Sequence, residues 1–216
     1  MLAKVFRLSC VGKAPEKHNT SRFLFSNLKV KIQMSSAYKF YNPDGVYFTS
    51  TATVEWVDIF TRPVYADMVI ESLRHCQQEK GLVIHAWSLM SNHLHMIISR
   101  KDKQQLEDII RDFKKFTSGT ILKAIQDEIT ESRKNWMLWL FKQAGKNNPN
   151  NRNFQFWQQD NHPEELITNK FIDQKLNYIH NNPVMAGLVD KPEHYRYSSA
   201  RDYTGSRGLL DVTLIE

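Results

Sequence analysis

The sequence predicts an α+β sandwich of the ferredoxin-like kind, an antiparallel sheet packed on helices and followed by a tyrosine-bearing helix near the C-terminus. Two observations lead there. Local hydrophobic periods alternate in the order strand, helix, strand, strand, helix, strand, helix, which is the order a split β-α-β sandwich requires. At its centre, Leu82 to Arg100 contains two short apolar runs separated by a polar turn, the pattern of a β-hairpin. Nothing repeats internally, and no apolar run approaches the length of a membrane span.

Taken in order, Asn42-Pro43-Asp44-Gly45 is a turn. Val46 to Phe60 alternates Val, Phe, Thr and Trp and reads as the first strand. Pro63 suits the first turn of a helix, and Tyr65, Met68, Val69, Leu73 and Cys76 recur at helical spacing up to Gly81, a C-terminal stop. In the hairpin, Ser91-Asn92 lies between the strands and can cap its own backbone. His85, on the first hairpin strand, shares the parity of Trp87 and Leu89 and is expected to be packed or hydrogen-bonded. Asp102 with Gln105 resembles a capping box, and Leu106, Ile109, Ile110, Phe113 and Phe116 form a buried stripe. Thr117 to Thr120 is expected to kink this helix before Ile121, Leu122 and Ile125 resume it. Phe154, Phe156 and Trp157 read as a further strand. A helix from about Thr168 to Asn181 carries the stripe Ile172, Leu176 and Ile179 and is expected to stop at Asn182-Pro183.

Residues 1–33 show no sustained period and hold seven basic residues and one acidic one, so they account for the whole net charge of +6. Met34 reads as a second beginning, which makes 1–33 an N-terminal extension or tail, with a DNA-touching basic arm as the alternative. Residues 34–216 read as one domain. Because its charges balance, a nucleic-acid surface has to be sought locally. Within an insertion at 132–159 there are five basic residues, no acidic one, and six Trp or Phe. Positive charge follows phosphates and aromatic rings stack unpaired bases, so Lys142, Lys146 and Arg152 are candidate DNA contacts. The helix before it adds Arg111, Lys114 and Lys115, a row that is also an ordinary solvated face. Two cysteines, Cys10 and Cys76, form no disulfide framework or metal clip, which fits a reducing, cytoplasmic setting without a membrane partner.

Two patterns carry chemistry. His93-Leu94-His95 opens the second hairpin strand, so the two imidazoles point to one face about 7 Å apart, half of a metal site. In the last helix Tyr178 lies about 127° from the centre of the apolar stripe. A core tyrosine would sit on that stripe. Asn182 and Lys175 share its side. Histidines 162 and 180 flank the helix and are expected to be exposed spectators, and Glu55 and Asp58 could approach the histidines only if the first strand neighbours theirs.

With HAWSLMSNHLHMII at 85–98, FKKFTSG at 113–119 and YIHNNPVMAGLV at 178–189, the chain resembles the single-tyrosine HUH transposases, in particular the REP-associated tyrosine transposases of bacteria. The resemblance runs from about Tyr38 to Tyr203. It implies the HUH endonuclease fold, with Tyr178 as nucleophile and His93 and His95 as ligands of a divalent metal, magnesium or manganese. The third ligand implied, often glutamine in relatives, falls on Asn182. The implied activity is cleavage and rejoining of single-stranded DNA through a 5′-phosphotyrosine link, at hairpin-bearing ends or repeats. Two rival readings are a hairpin-binding protein without turnover and a metal-dependent phosphoesterase that uses water. The resemblance leaves both a monomer and a domain-swapped homodimer open.

Overall fold

The computed structural model describes residues 39–101, 104–146, 153–159 and 163–215. The expected extension 1–33, the boundary at Met34, Asp102, Arg152 and His162 therefore lie outside the described residues. Four strands form one antiparallel sheet in the order β2-β3-β1-β4: β1 Tyr47–Ala52, β2 Leu82–Leu89, β3 His93–Arg100 and β4 Glu164–Glu165. That is the strand order of a ferredoxin-like sheet, with α1 (Pro63–Lys80) linking β1 to β2 and α2 (Leu106–Asp127) and α3 (Lys134–Lys146) linking β3 to β4. The last helix, α4, spans Asn169–Met185.

The alternation of the strands divides the interior into two clusters. Leu94, Met96 and Ile98 of β3 face the helices α1 and α2, whose Val69, Leu73, Ile109 and Phe113 complete the larger core. Ile97 points the other way, with Phe48 and Ala86, and meets Ile179 of α4. His93 and His95 share the parity of Ile97, so they lie on the α4 face. All eight residues of β2 are buried, because β3 covers one edge and the C-terminal segment covers the other. There Tyr197 and Trp87 carbonyls accept from Leu89 and Ser199 amides at 2.9 Å.

Several local expectations change. The first strand ends at Ala52 rather than Phe60, because the chain turns through two short 3-10 segments, Val54–Trp56 and Ile59–Thr61. Within that turn Glu55 and Trp56 take left-handed backbone angles, φ 52° and 55°. Such residues cost about 1 to 3 kcal/mol each unless surrounding contacts impose them. A bulge between Ile84 and Ala86 shifts the parity of β2 at His85, so this residue does not share the face of Trp87. It is nonetheless buried and hydrogen-bonded as expected, to the Thr213 carbonyl and the Ser99 hydroxyl at 2.9 and 2.8 Å.

Helix α2 runs unbroken past Thr117 and Ser118, whose hydroxyls donate back to the Phe113 and Lys114 carbonyls inside the helix. Its N-cap residue, Gln105, makes no side-chain cap bond, and Phe116 is exposed rather than part of the stripe. Part of the 132–159 insertion is helix α3, a helix whose period the interleaved lysines and tryptophans obscured. Phe156 and Trp157 are buried as expected but form no strand. They prolong the edge of β1 through a single bridge to Thr53, and the fourth strand is the dipeptide Glu164–Glu165. Helix α4 begins at its Thr168 cap and continues through Pro183 to Met185. Proline at this point removes only one backbone donor of the final turn, and its own carbonyl still accepts from the Leu188 amide at 2.9 Å.

Candidate functional site

His95 sits in the middle of the sheet, opposite Ser50 of β1 and Ser88 of β2. These small neighbours leave space above its ring. The imidazole stacks on Phe48, 5.6 Å between centroids, and the residue is buried. Burial, then the neighbouring His93 and Lys175, push its pKa down to about 3. The ring is therefore neutral near pH 7. Its conjugate acid holds a proton too weakly for it to serve as general base toward a phenol, whereas a neutral imidazole is a good ligand for a cation. Its Nδ1 is buried without a hydrogen-bond partner, and its Nε2 faces the Tyr178 hydroxyl at 3.3 Å.

His93 lies beside it, ring centroids 4.7 Å apart and nearly perpendicular. Its Nδ1 is 2.7 Å from Oδ1 of Asn92. An amide oxygen only accepts, so Nδ1 carries the hydrogen and Nε2 keeps its lone pair. The Asn92 amide nitrogen donates in turn to the Trp56 carbonyl at 3.1 Å and to Asp58 Oδ1 at 2.9 Å, which fixes the orientation of the amide. The asparagine expected to cap its own turn thus ties the histidine to the left-handed turn after β1. Burial lowers the His93 pKa and Asp58 opposes that shift.

Tyr178 projects from α4 and is 50% exposed, off the apolar stripe as its helical angle requires. It reaches His95 within one chain. The cleft between them has a volume of about 310 Å³ and is lined by Phe48, Ser50, His95, Glu164, Gln174, Lys175 and Tyr178. Lys175 is ion-paired with Glu164 at 2.9 Å and lies 4.2 Å over the Phe48 ring, so it supplies positive charge at the cleft wall. Asn182 is half-buried one turn beyond Tyr178, while the amide that lines the cleft is Gln174, one turn before it.

Among the described residues, no group of three or more His, Cys, Asp or Glu side chains could hold a metal ion. The two imidazoles still fit a pair of ligands, since His93 keeps the lone pair of Nε2 and the neutral His95 turns its Nε2 toward the cleft. A third protein ligand at this place would be an amide or the phenol.

The remaining candidates scatter. Helix α2 packs on the face opposite the histidines, so Arg111, Lys114 and Lys115 are not gathered at the cleft. Arg111 pairs with Asp108 and Asp112, Lys114 donates to the Gln158 carbonyl at 2.6 Å, and Lys115 is exposed. Lys142 and Lys146 stand on the outer face of α3 with Trp136 and Trp139, which are exposed. His180 is not the expected spectator. It is buried, bonded to the Ser199 hydroxyl at 2.9 Å, and burial pushes its pKa down to about 4. Asp58, expected near the histidines only if the first strand neighbours theirs, does come close: β1 pairs with β3, and Asp58 reaches His93 through Asn92. Trp56 carries no such signal, because a continuous strand would have taken it away from His93.

The family of IS200-like transposases matches residues 52–182, more than half of the chain, and this span includes the two histidines, the tyrosine and Asn182. The chain belongs to the IS200-like transposase family. No curated protein matches it. Among solved structures, a REP-associated tyrosine transposase bound to a REP hairpin is 17% identical, with a TM-score of 0.57, over 85% of this chain and 96% of that one. A putative transposase from Deinococcus radiodurans is 16% identical, with a TM-score of 0.41, over 68% of this chain and 97% of that one. The first likeness shows that this IS200-like family member has the fold of a REP-associated tyrosine transposase. Family membership makes it a DNA-processing enzyme of the transposase class. No helix among its described residues is long and apolar enough to cross a membrane.

Proposed function

We propose that this chain cuts and rejoins single-stranded DNA through a covalent bond to Tyr178, at hairpin-bearing ends or repeats, in the cytoplasm. The observation that carries the reading is the hydroxyl of the half-exposed Tyr178, 3.3 Å from Nε2 of His95 at an open cleft. In the forward step the phenol oxygen forms a bond to the scissile phosphorus and the bond from phosphorus to the 3′ oxygen breaks. The 3′ oxygen leaves as a hydroxyl after taking up a proton, the phenol proton passes to solvent, and the 5′ end stays as a phosphotyrosine ester. Attack by another 3′-hydroxyl reverses these changes and frees the tyrosine, so no external energy source is needed.

His93 and His95, with Asn182 as third ligand, would hold a divalent ion, magnesium or manganese, which when bound polarises the scissile phosphate. Asn92 keeps the His93 hydrogen on Nδ1 so that Nε2 faces outward. Lys175 offsets phosphate charge at the cleft wall, and Arg111, Lys114, Lys115, Lys142, Lys146 and Arg152 are proposed to contact the DNA backbone. That the solved neighbour holds a REP hairpin supports hairpin DNA as the partner here. The site needs no second copy to bring tyrosine and histidine together, although a homodimer is compatible with it.

The test is incubation with labelled hairpin single-stranded DNA and manganese, followed by a denaturing gel. A covalent adduct is expected with the wild type and none with Tyr178→Phe, which still binds the DNA. Retained cleavage by Tyr178→Phe, with loss in His93→Ala, would point instead to a phosphoesterase using water. Binding without any adduct in the wild type would point to a hairpin-binding protein.

A further inference from the structure

Trp56 combines a strained backbone, an exposed side chain and a ring contact with His93. Its backbone is held in the left-handed region, φ 55°, directly after Glu55 at φ 52°. No glycine relieves either position. The turn is imposed by hydrogen bonds, the Trp56 amide donating to the Thr53 carbonyl at 3.1 Å and its own carbonyl accepting from Asn92 at 3.1 Å. The residue is nevertheless 55% exposed, as are Trp136 and Trp139 on the outer face of α3, but Trp56 is the one of the three whose ring stands against a histidine of the pair. Among the described residues its ring contact is with His93, edge-on at 5.6 Å. A strained turn is therefore used to hold a large flat ring in solvent against one of the two paired imidazoles, and Asn92 ties that imidazole to the Trp56 carbonyl.

We infer that Trp56 is a stacking platform for an unpaired nucleobase next to the scissile phosphate. This rests on the single-stranded DNA reading above. Residues 53–61 carry Glu55 and Asp58 and no lysine or arginine, and the Arg133 guanidinium that reaches the Asp58 carbonyl at 2.8 Å is paired with Glu131 at 3.0 Å, so this wall of the site is poorly suited to phosphate and suited to the flat face of a base. The phosphates would then run along the Lys175 side, with the base turned toward Trp56. A base clamped here fixes the position of the adjoining phosphate relative to the histidines, which makes Trp56 a positioning residue for the cleavage site.

The experiment measures binding of the full chain to a labelled hairpin with a single-stranded flank, carrying an abasic site at each flank position in turn. With the wild type, one abasic position near the cleavage point weakens binding. Trp56→Leu, which keeps an apolar contact to His93 but cannot stack, weakens binding of the intact DNA about tenfold and no longer responds to that abasic position. Trp56→Phe retains most of the affinity. In the wild type, 5-iodouracil at the sensitive position cross-links to the peptide containing Trp56, a readout independent of any variant's folding. Uniform sensitivity to all abasic positions, wild-type affinity in Trp56→Leu, or a cross-link mapping to another element would overturn the inference. Loss of all hairpin binding by the wild type would overturn it as well, but there the failure belongs to the DNA reading itself.

Discussion

Asn92 shows how much of this site depends on a single neutral side chain. Its carbonyl oxygen selects the tautomer of His93, and its nitrogen is anchored on Asp58 and the Trp56 carbonyl. Replacing it with alanine leaves the imidazole free to rotate and to place its hydrogen on either nitrogen. Partners of this kind are typically worth ten- to a hundredfold in metal affinity. Asn92→Ala is therefore expected to weaken manganese binding by about that factor in a calorimetric titration, with the fold intact by circular dichroism. Undiminished affinity would show that the Trp56 ring alone holds His93 in place. Tyr178→Phe is the companion change. It removes one oxygen from a half-exposed ring, so stability stays near that of the wild type while the covalent adduct disappears.

At the scale of elements, two helical glycines should respond to the same substitution with opposite signs. Gly145, near the end of α3, lies so close to the chain at Asn153 and Phe154 that an added Cβ would come within 2.8 Å of three backbone atoms. Backbone cannot swing aside as a flexible side chain can, so Gly145→Ala must separate α3 from the segment that prolongs β1. An overpacked contact of this kind typically costs about 1–3 kcal/mol. Gly119 lies inside α2 with nothing within 4 Å of its would-be Cβ. There Gly119→Ala lowers backbone entropy in the unfolded chain and adds about 0.5–1 kcal/mol of stability. Urea unfolding of the two variants checks both signs. A neutral Gly145→Ala would mean that the α3 contact gives way at no cost.

Across the whole molecule, the buried histidines set the acid limit of stability. Burial lowers the pKa of His85, His93, His95 and His180. Between those values and the unfolded value near 6.5 the unfolded chain binds more protons, so stability falls as pH drops below about 6.5 and is full above it. His180 alone, with its pKa at about 4, contributes a loss of roughly 2 kcal/mol between pH 6.5 and 5. The urea midpoint should therefore fall from pH 7.5 to pH 5, above the range where most carboxylates titrate. A midpoint that stays level over this interval would contradict the burial of these rings.

The sequence by itself determined the class of sheet, the hairpin, the common face of His93 and His95, and the outward angle of Tyr178. Each follows from a local rule, period 2 in strands or period 3.6 in helices, that acts over a few residues. His85 marks the limit of such rules, because one bulge shifted the parity on which its face was read. Helix α3 was hidden for a similar reason: an amphipathic face carrying two exposed tryptophans does not look apolar on one side only. Only the tertiary structure decided that Asp58 and Trp56 meet Asn92 beside His93, that Gln174 lines the cleft, and that the phenol meets the imidazole within one chain. Those contacts join residues from 34 to 83 positions apart. The backbone angles that create them, above all the left-handed pair at Glu55 and Trp56, are imposed by packing and hydrogen bonds against a local preference for the strand to continue.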